Sequence, residues 1–212
     1  MRSVPIIGVT GGIASGKTTV AKLIAGTRGV LIDCDSLGHR ALACPDVREK
    51  LVAAFGREVL APSGAVSRKR LSRIVFASDR GIARLNRIIK PRLKRIITEE
   101  VLKRRVRARF IVLDAVLLFR YKFRFKVDYV VVARASLETR LKRIMLRDGV
   151  SRVEALMRIE RQRDLRDAWS RADARVSSDR PLVEVRSEVE AIRDRLLARY
   201  DGTGRNARCR KN

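Results

Sequence analysis

Gly11-Gly12-Ile13-Ala14-Ser15-Gly16-Lys17-Thr18 fits the pattern G-x-x-x-x-G-K-[ST] at every fixed position. Before it, Val4 to Val9 is a short apolar run of the kind a buried strand makes, and after it Thr18 to Ala25 carries helical spacing. Strand, glycine-rich loop and helix in that order let backbone N–H groups turn around a di- or triphosphate, with the positive end of the helix aimed at it. The eight residues Gly11, Gly12, Ile13, Ala14, Ser15, Gly16, Lys17 and Thr18 are therefore candidate nucleotide-binding residues. Lys17 brings a charge for the β and γ oxygens and is a candidate catalytic residue. Thr18 offers a hydroxyl to a Mg²⁺ carried in on the nucleotide.

Downstream, Val30 to Ile32 reads as a second brief strand closed by Asp33 and Asp35. In a parallel sheet ligands bind beyond the carboxyl ends of strands, so a carboxylate there is placed to accept a proton from an attacking hydroxyl. Asp33 is the candidate general base and Asp35 a group that orients substrate or metal. Capping of the next helix is the competing role for each. Helical sequence follows at His39 to Ala43, at Val47 to Phe55 with Pro45 and Gly56 as breakers, and around Leu71, Ile74 and Val75. From Ile82 to Leu102 apolar residues recur at threes and fours, as in one long amphipathic helix or two abutting ones, with Pro91 as kink or restart. Ile111 to Leu113 and Tyr129 to Ala133 read as further strands, Leu137 to Leu146, Val153 to Ile159 and Val189 to Leu197 as helices, and the tail from Gly202 as frayed. Strands alternating with helices predict an α/β fold, a parallel sheet with helices on its faces.

Composition narrows the chemistry. The 212 residues hold 49 Lys and Arg against 23 Asp and Glu, a net charge of +26, with 46% hydrophobic residues. That is a folded chain seeking anionic partners, among which nucleic acid, an anionic membrane surface and phosphorylated metabolites all qualify. Cys34, Cys44 and Cys209 form no CxxC pair and His39 is the sole histidine, so no zinc site or disulfide framework assembles from local spacing. No apolar stretch reaches the ~20 residues of a membrane helix. A cytoplasmic protein is expected, with a mitochondrion or other organelle left open. Between Arg84 and Arg109 eleven Lys and Arg face only Glu99 and Glu100, a solvated helix face or an anion surface. Arg120, Lys122, Arg124 and Lys126 alternate with Tyr121, Phe123 and Phe125, as a half-buried loop or a nucleic-acid surface would. Arg140, Arg143 and Arg147 share one helix face, with Arg158, Arg161 and Gln162 on the next helix; an exposed basic helix or an arginine-bearing lid over ATP both fit.

Taken in chain order these pieces resemble the dephospho-coenzyme A kinase family. Thr10 to Thr19 is close to its TGGI-x-SGK-[ST]-T, Ile32-Asp33-Cys34-Asp35 to its IDAD, Leu85-Asn86 with Lys90-Pro91 to its LN…HP, and Leu113 to Phe119 to its LD-x-PLLFE. Arg140 to Asp148 resembles the lid segment RL-x-R…RD, and Gln162 with Ala172-Asp173 a later Q…AD pair. The resemblance implies a P-loop NTPase-type core at 1–35, 109–135 and 166–200, a helical substrate-binding insertion at 36–108, a helical lid at 136–165 and a basic tail at 201–212. It implies transfer of the ATP γ-phosphoryl group to the ribose 3′-hydroxyl of dephospho-CoA, the last step of coenzyme A synthesis. By it Asp33 is the base, Gly11 to Thr19 with Arg143 and Arg147 hold ATP, and Asp35, Lys90, Asp114 and Arg140 lie with the acceptor. ATP with Mg²⁺ and dephospho-CoA are the implied small-molecule partners, and no obligate protein partner follows.

The chain departs from the family pattern where Lys90 stands for His, Val116 for Pro and Arg120 for Glu, and where Ser177, Ser178 and Asp179 replace the region of the expected Asn. These positions are expected around the acceptor and adenine pockets. Two other functions compete: a kinase of another small hydroxyl-bearing metabolite, and a nucleic-acid-binding protein that keeps the loop as a switch, prompted by the charge and by Arg205, Arg208, Arg210 and Lys211 in the tail. The second predicts affinity that falls steeply with salt.

Overall fold

The computed structural model describes residues 4–75, 78–116, 118, 123, 125–162, 170 and 172–202. Arg120, Lys122 and Arg124, part of the basic and aromatic alternation, lie outside these residues, as does the tail beyond 202 with its arginines and Cys209.

The apolar run ahead of the glycine loop forms β1 (Ile6–Gly11), buried along its whole length. A strand covered on both faces has no need of polar alternation, which is why the run is continuous. It pairs in parallel with β3 (Ile111–Asp114) on one side and β4 (Tyr129–Arg134) on the other. With β2 (Val30–Asp33) and β5 (Ala174–Ser177) the sheet order is β2-β3-β1-β4-β5. β5 falls in sequence that carries no strand pattern, since only Val176 of its four residues is buried.

On one face of the sheet α1 (Lys17–Ala25) and the last helix, α8 (Leu182–Gly202), pack Val20, Ile24, Val185, Val189 and Leu196 against Ile7, Val9, Val112, Val131 and Val176. α8 starts seven residues before the expected Val189, at Leu182. Its first turn is apolar yet exposed at Leu182 and Val183, which hides the core-facing period. α6 (Leu137–Asp148) and α7 (Arg152–Glu160) enclose a smaller cluster of Leu141, Ile144, Ala155 and Ile159. Ile13 and Ala14 of the glycine loop pack on that cluster. Ser136 caps α6 and a reciprocal Ser151–Glu154 capping box starts α7.

The described residues divide into two units, the one just given and a helical one spanning Asp33–Lys103 together with Phe123 and Phe125. The helical unit holds α2 (Cys34–Leu42), α3 (Pro45–Phe55), α4 (Arg68–Val75) and most of α5 (Asp79–Arg105) around Val47, Leu51, Val59, Leu71 and Val75. Pro45 separates α2 from α3, as its reading as a breaker expects, and itself opens α3 at the first turn, where a missing N–H costs nothing. Pro91 neither ends nor restarts α5, which is one helix of 27 residues. Apolar side chains anchor it on both sides of the proline: Leu85, Ile88 and Ile89 before it, Leu93, Ile96, Ile97 and Val101 after it.

Candidate active site

The glycine loop turns between β1 and α1. Gly16 sits in the left-handed region at φ 80°, and a Cβ there would lie 2.7 Å from the Ser178 side chain, so glycine is required on two counts. No side chain caps α1, which leaves the amides of its first turn to a ligand. Ser15 Oγ is buried beside Gly11 with no hydrogen-bond partner among the described residues. An orphaned hydroxyl next to uncapped amides suits a ligand rich in acceptor oxygens.

Lys17 and Asp114 form a buried ion pair, and Thr18 Oγ1 donates to the other Asp114 oxygen at 2.8 Å. Asp114, expected with the acceptor, is here because β3 pairs with β1 in the register Val9 to Asp114 and so delivers its last side chain to the start of the loop. Sequence spacing alone cannot show this, as 97 residues separate Lys17 from Asp114. A carboxylate beside a loop threonine makes an all-oxygen donor pair, the chemistry a hard divalent cation takes.

Side chains also grip the loop's main chain. Arg140 Nε donates to the Ile13 carbonyl at 2.9 Å, Arg143 Nη1 to the Ala14 carbonyl at 3.1 Å, and Ser178 Oγ to the Ser15 carbonyl at 2.9 Å. Gln162 Oε1 accepts from the Ile13 N–H at 2.7 Å. Arg143 is tied in turn to Ser178, through Nη1 to its Oγ and through Nη2 to its carbonyl, both at 2.8 Å. Ser178 entered the sequence reading only as a departure from the family's asparagine; its part in the loop had no signal there. Arg147 makes a two-pronged contact with Asp148, which also takes Arg158 at 2.5 Å. The Arg147 hydrogen bonds hold the Asp148 carboxyl below its usual range, despite the opposing cost of burial.

β2 ends at Asp33, whose Oδ1 accepts from the amides of Asp35 at 2.9 Å and Ser36 at 3.1 Å. Of the two aspartates it is thus Asp33 that caps α2, with Asp35 exposed in the helix's first turn. Both cap bonds use Oδ1, and Oδ2 makes no hydrogen bond among the described residues. Capping and a free oxygen for proton transfer are therefore compatible in one side chain. Lys90 is half-buried on α5.

Comparison with known proteins settles the relationship. The model of the dephospho-CoA kinase family matches residues 5–184. This chain belongs to that family. The dephospho-CoA kinase of Arabidopsis thaliana is 38% identical over 189 residues, covering 88% of this chain and 82% of that protein. A Thermus thermophilus protein of known crystal structure superposes with a TM-score of 0.75 at 29% identity, over 92% of this chain and 99% of that one. The dephospho-CoA kinase of Campylobacter jejuni superposes with a TM-score of 0.57 at 25% identity, covering 90% and 96%. The family member seen here is thus a P-loop kinase, and ATP is a substrate of its class. No described helix is long and apolar enough to cross a membrane.

Proposed function

We propose that this family member transfers the γ-phosphoryl group of ATP to the ribose 3′-hydroxyl of dephospho-CoA. The observation that carries the reading is the cluster of Lys17, Thr18 and Asp114 at the uncapped start of α1, in a chain whose family model runs through both units. The loop from Gly11 to Thr19 receives the polyphosphate, with Lys17 exchanging Asp114 for the β and γ oxygens as the nucleotide enters. Thr18 and Asp114 fit Mg²⁺ by their oxygen donors. When bound, that ion neutralises phosphate charge.

Asp33 takes the proton of the acceptor hydroxyl on Oδ2 while its Oδ1 stays fixed by the two cap bonds, which orient the carboxylate. The hydroxyl oxygen bonds to the γ-phosphorus, the bond to the β,γ-bridging oxygen breaks, and ADP leaves with that electron pair. Asp35 and Lys90 lie with the acceptor. α6 and α7 form the lid over ATP, with Arg147 turning from Asp148 to the nucleotide as it closes, and 36–108 forms the acceptor region.

The test is ADP formation from Mg·ATP with and without dephospho-CoA, the product being checked for a 3′-phosphate. Turnover that depends on the acceptor and drops at least ~10²-fold in Asp33→Asn, with ATP still bound, is the expected result. ATP binding without acceptor-dependent ADP would remove dephospho-CoA as the substrate. A panel of other small hydroxyl compounds then follows.

A further inference from the structure

Three successive carbonyls of the phosphate loop, those of Ile13, Ala14 and Ser15, are each taken by a side-chain donor: Arg140, Arg143 and Ser178 in turn. In a trans peptide the carbonyl of one residue and the N–H of the next point in opposite directions. Fixing the carbonyls of Ile13 and Ser15 therefore fixes the N–H groups of Ala14 and Gly16 facing the other way. The N–H of Ser15 closes the turn internally on the Gly12 carbonyl at 3.1 Å. Ala14 holds φ 58°, a left-handed conformation that is unfavourable for a non-glycine residue, so its peptide needs an external hold.

We infer that Ser178 and Arg143 act together as positioning residues for this loop, with Ser178 the pivot. The Ser178 hydroxyl accepts from Arg143 and donates to the Ser15 carbonyl, while its own carbonyl accepts from Arg143 Nη2. Arg143 spans from there to Ala14. One serine just past the end of β5 thus sets two adjacent loop peptides, and the arginine that the family resemblance assigns to ATP is engaged with protein oxygens. Gly16 packs so closely on Ser178 that a Cβ there would collide with the serine side chain. The role rests on the loop receiving a nucleotide polyphosphate, and it is independent of which acceptor is phosphorylated.

The experiment measures binding of a fluorescent ADP analogue, with ADP and adenosine as competitors, to the full chain and to its Ser178→Ala, Ser178→Thr, Arg143→Ala and Arg143→Ala/Ser178→Ala forms. Thermal melts report folding of each. Ser178→Ala is expected to weaken ADP about tenfold and adenosine not at all, because only the polyphosphate uses the loop amides. Ser178→Thr, which keeps the hydroxyl, restores affinity. The double variant binds no more weakly than Arg143→Ala, as residues of one device are not additive. Unchanged ADP affinity in Ser178→Ala overturns the inference, and so does equal weakening of ADP and adenosine. Losses that multiply in the double variant overturn it too, by placing Arg143 on the nucleotide directly. A wild-type chain that binds no ADP would instead overturn the nucleotide reading, whereas absence of acceptor turnover leaves this test intact.

Discussion

Asp114 shows how much one side chain's position changes its meaning. As a sequence feature it closes a strand and belongs to a family segment; in the fold it is buried against Lys17 and Thr18. Removing one member of a buried ion pair leaves the other charge unpaired in a poor solvent, at a cost of about 3–5 kcal/mol. Asp114→Ala should therefore lower the urea midpoint of the ligand-free protein markedly, and Asp114→Ala/Lys17→Met should recover most of that loss while remaining inactive. If the double variant is as unstable as the single, the pair is not what the carboxylate supports. The phosphate loop itself was legible because its chemistry lies in eight adjacent residues. Its supports were not, because Asp114, Gln162 and Ser178 reach it only through strand register and helix packing.

Among the elements, the loop's neighbours β5 and α6 are joined by Asp179. The Ser136 amide donates to its Oδ2 at 2.7 Å, at the very start of α6, where negative charge also meets the helix dipole favourably. A hydrogen bond from Thr139, then those from Ser136, hold this carboxyl below the usual Asp range, with Arg143 adding its charge. A depressed folded value means the unfolded chain takes the proton more readily. The stabilisation is then complete above the ordinary Asp value of ~3.9 and is lost as pH falls through the lower folded one. Asp179→Asn should be less stable than wild type at pH ~6, and the gap should close towards pH ~3; a gap constant with pH would assign the effect to shape alone. Because the carboxylate is exposed the effect is small. β5 went unread for a related reason. Its pattern of one buried and three more accessible residues gives an edge strand no apolar run, and its purpose lies in the polar residues that follow it, Ser178 and Asp179. The long apolar period of α5, by contrast, was legible from end to end, and only packing on both sides of Pro91 decided that it is one helix.

For the molecule as a whole, the net charge of +26 exceeds anything one phosphate loop requires. Much of it is concentrated: Arg68 to Arg95, covering α4 and α5 as far as Arg95, holds eleven Lys and Arg and a single acid, Asp79. The side chains of Arg73, Arg80 and Arg87 there are exposed and make no hydrogen bond or ion pair among the described residues. ATP and dephospho-CoA are both phosphate-bearing anions, and a field of one sign raises the rate at which such ligands arrive more than the strength with which they stay. Salt shortens the reach of that field, to about 8 Å at physiological ionic strength. The steady-state kcat/KM for each substrate should therefore fall several-fold between ~20 and ~200 mM KCl while kcat holds. Arg73→Gln/Arg80→Gln/Arg87→Gln should flatten the salt slope of kcat/KM, since none of the three is among the loop residues. A salt profile as steep in the triple variant as in wild type would show that steering comes from the charges at the loop itself. Nucleic-acid binding by the triple variant and wild type alike, persisting at ~200 mM salt, would show that the basic helices are not a polyanion surface either, and would move the search to the arginines outside α4 and α5.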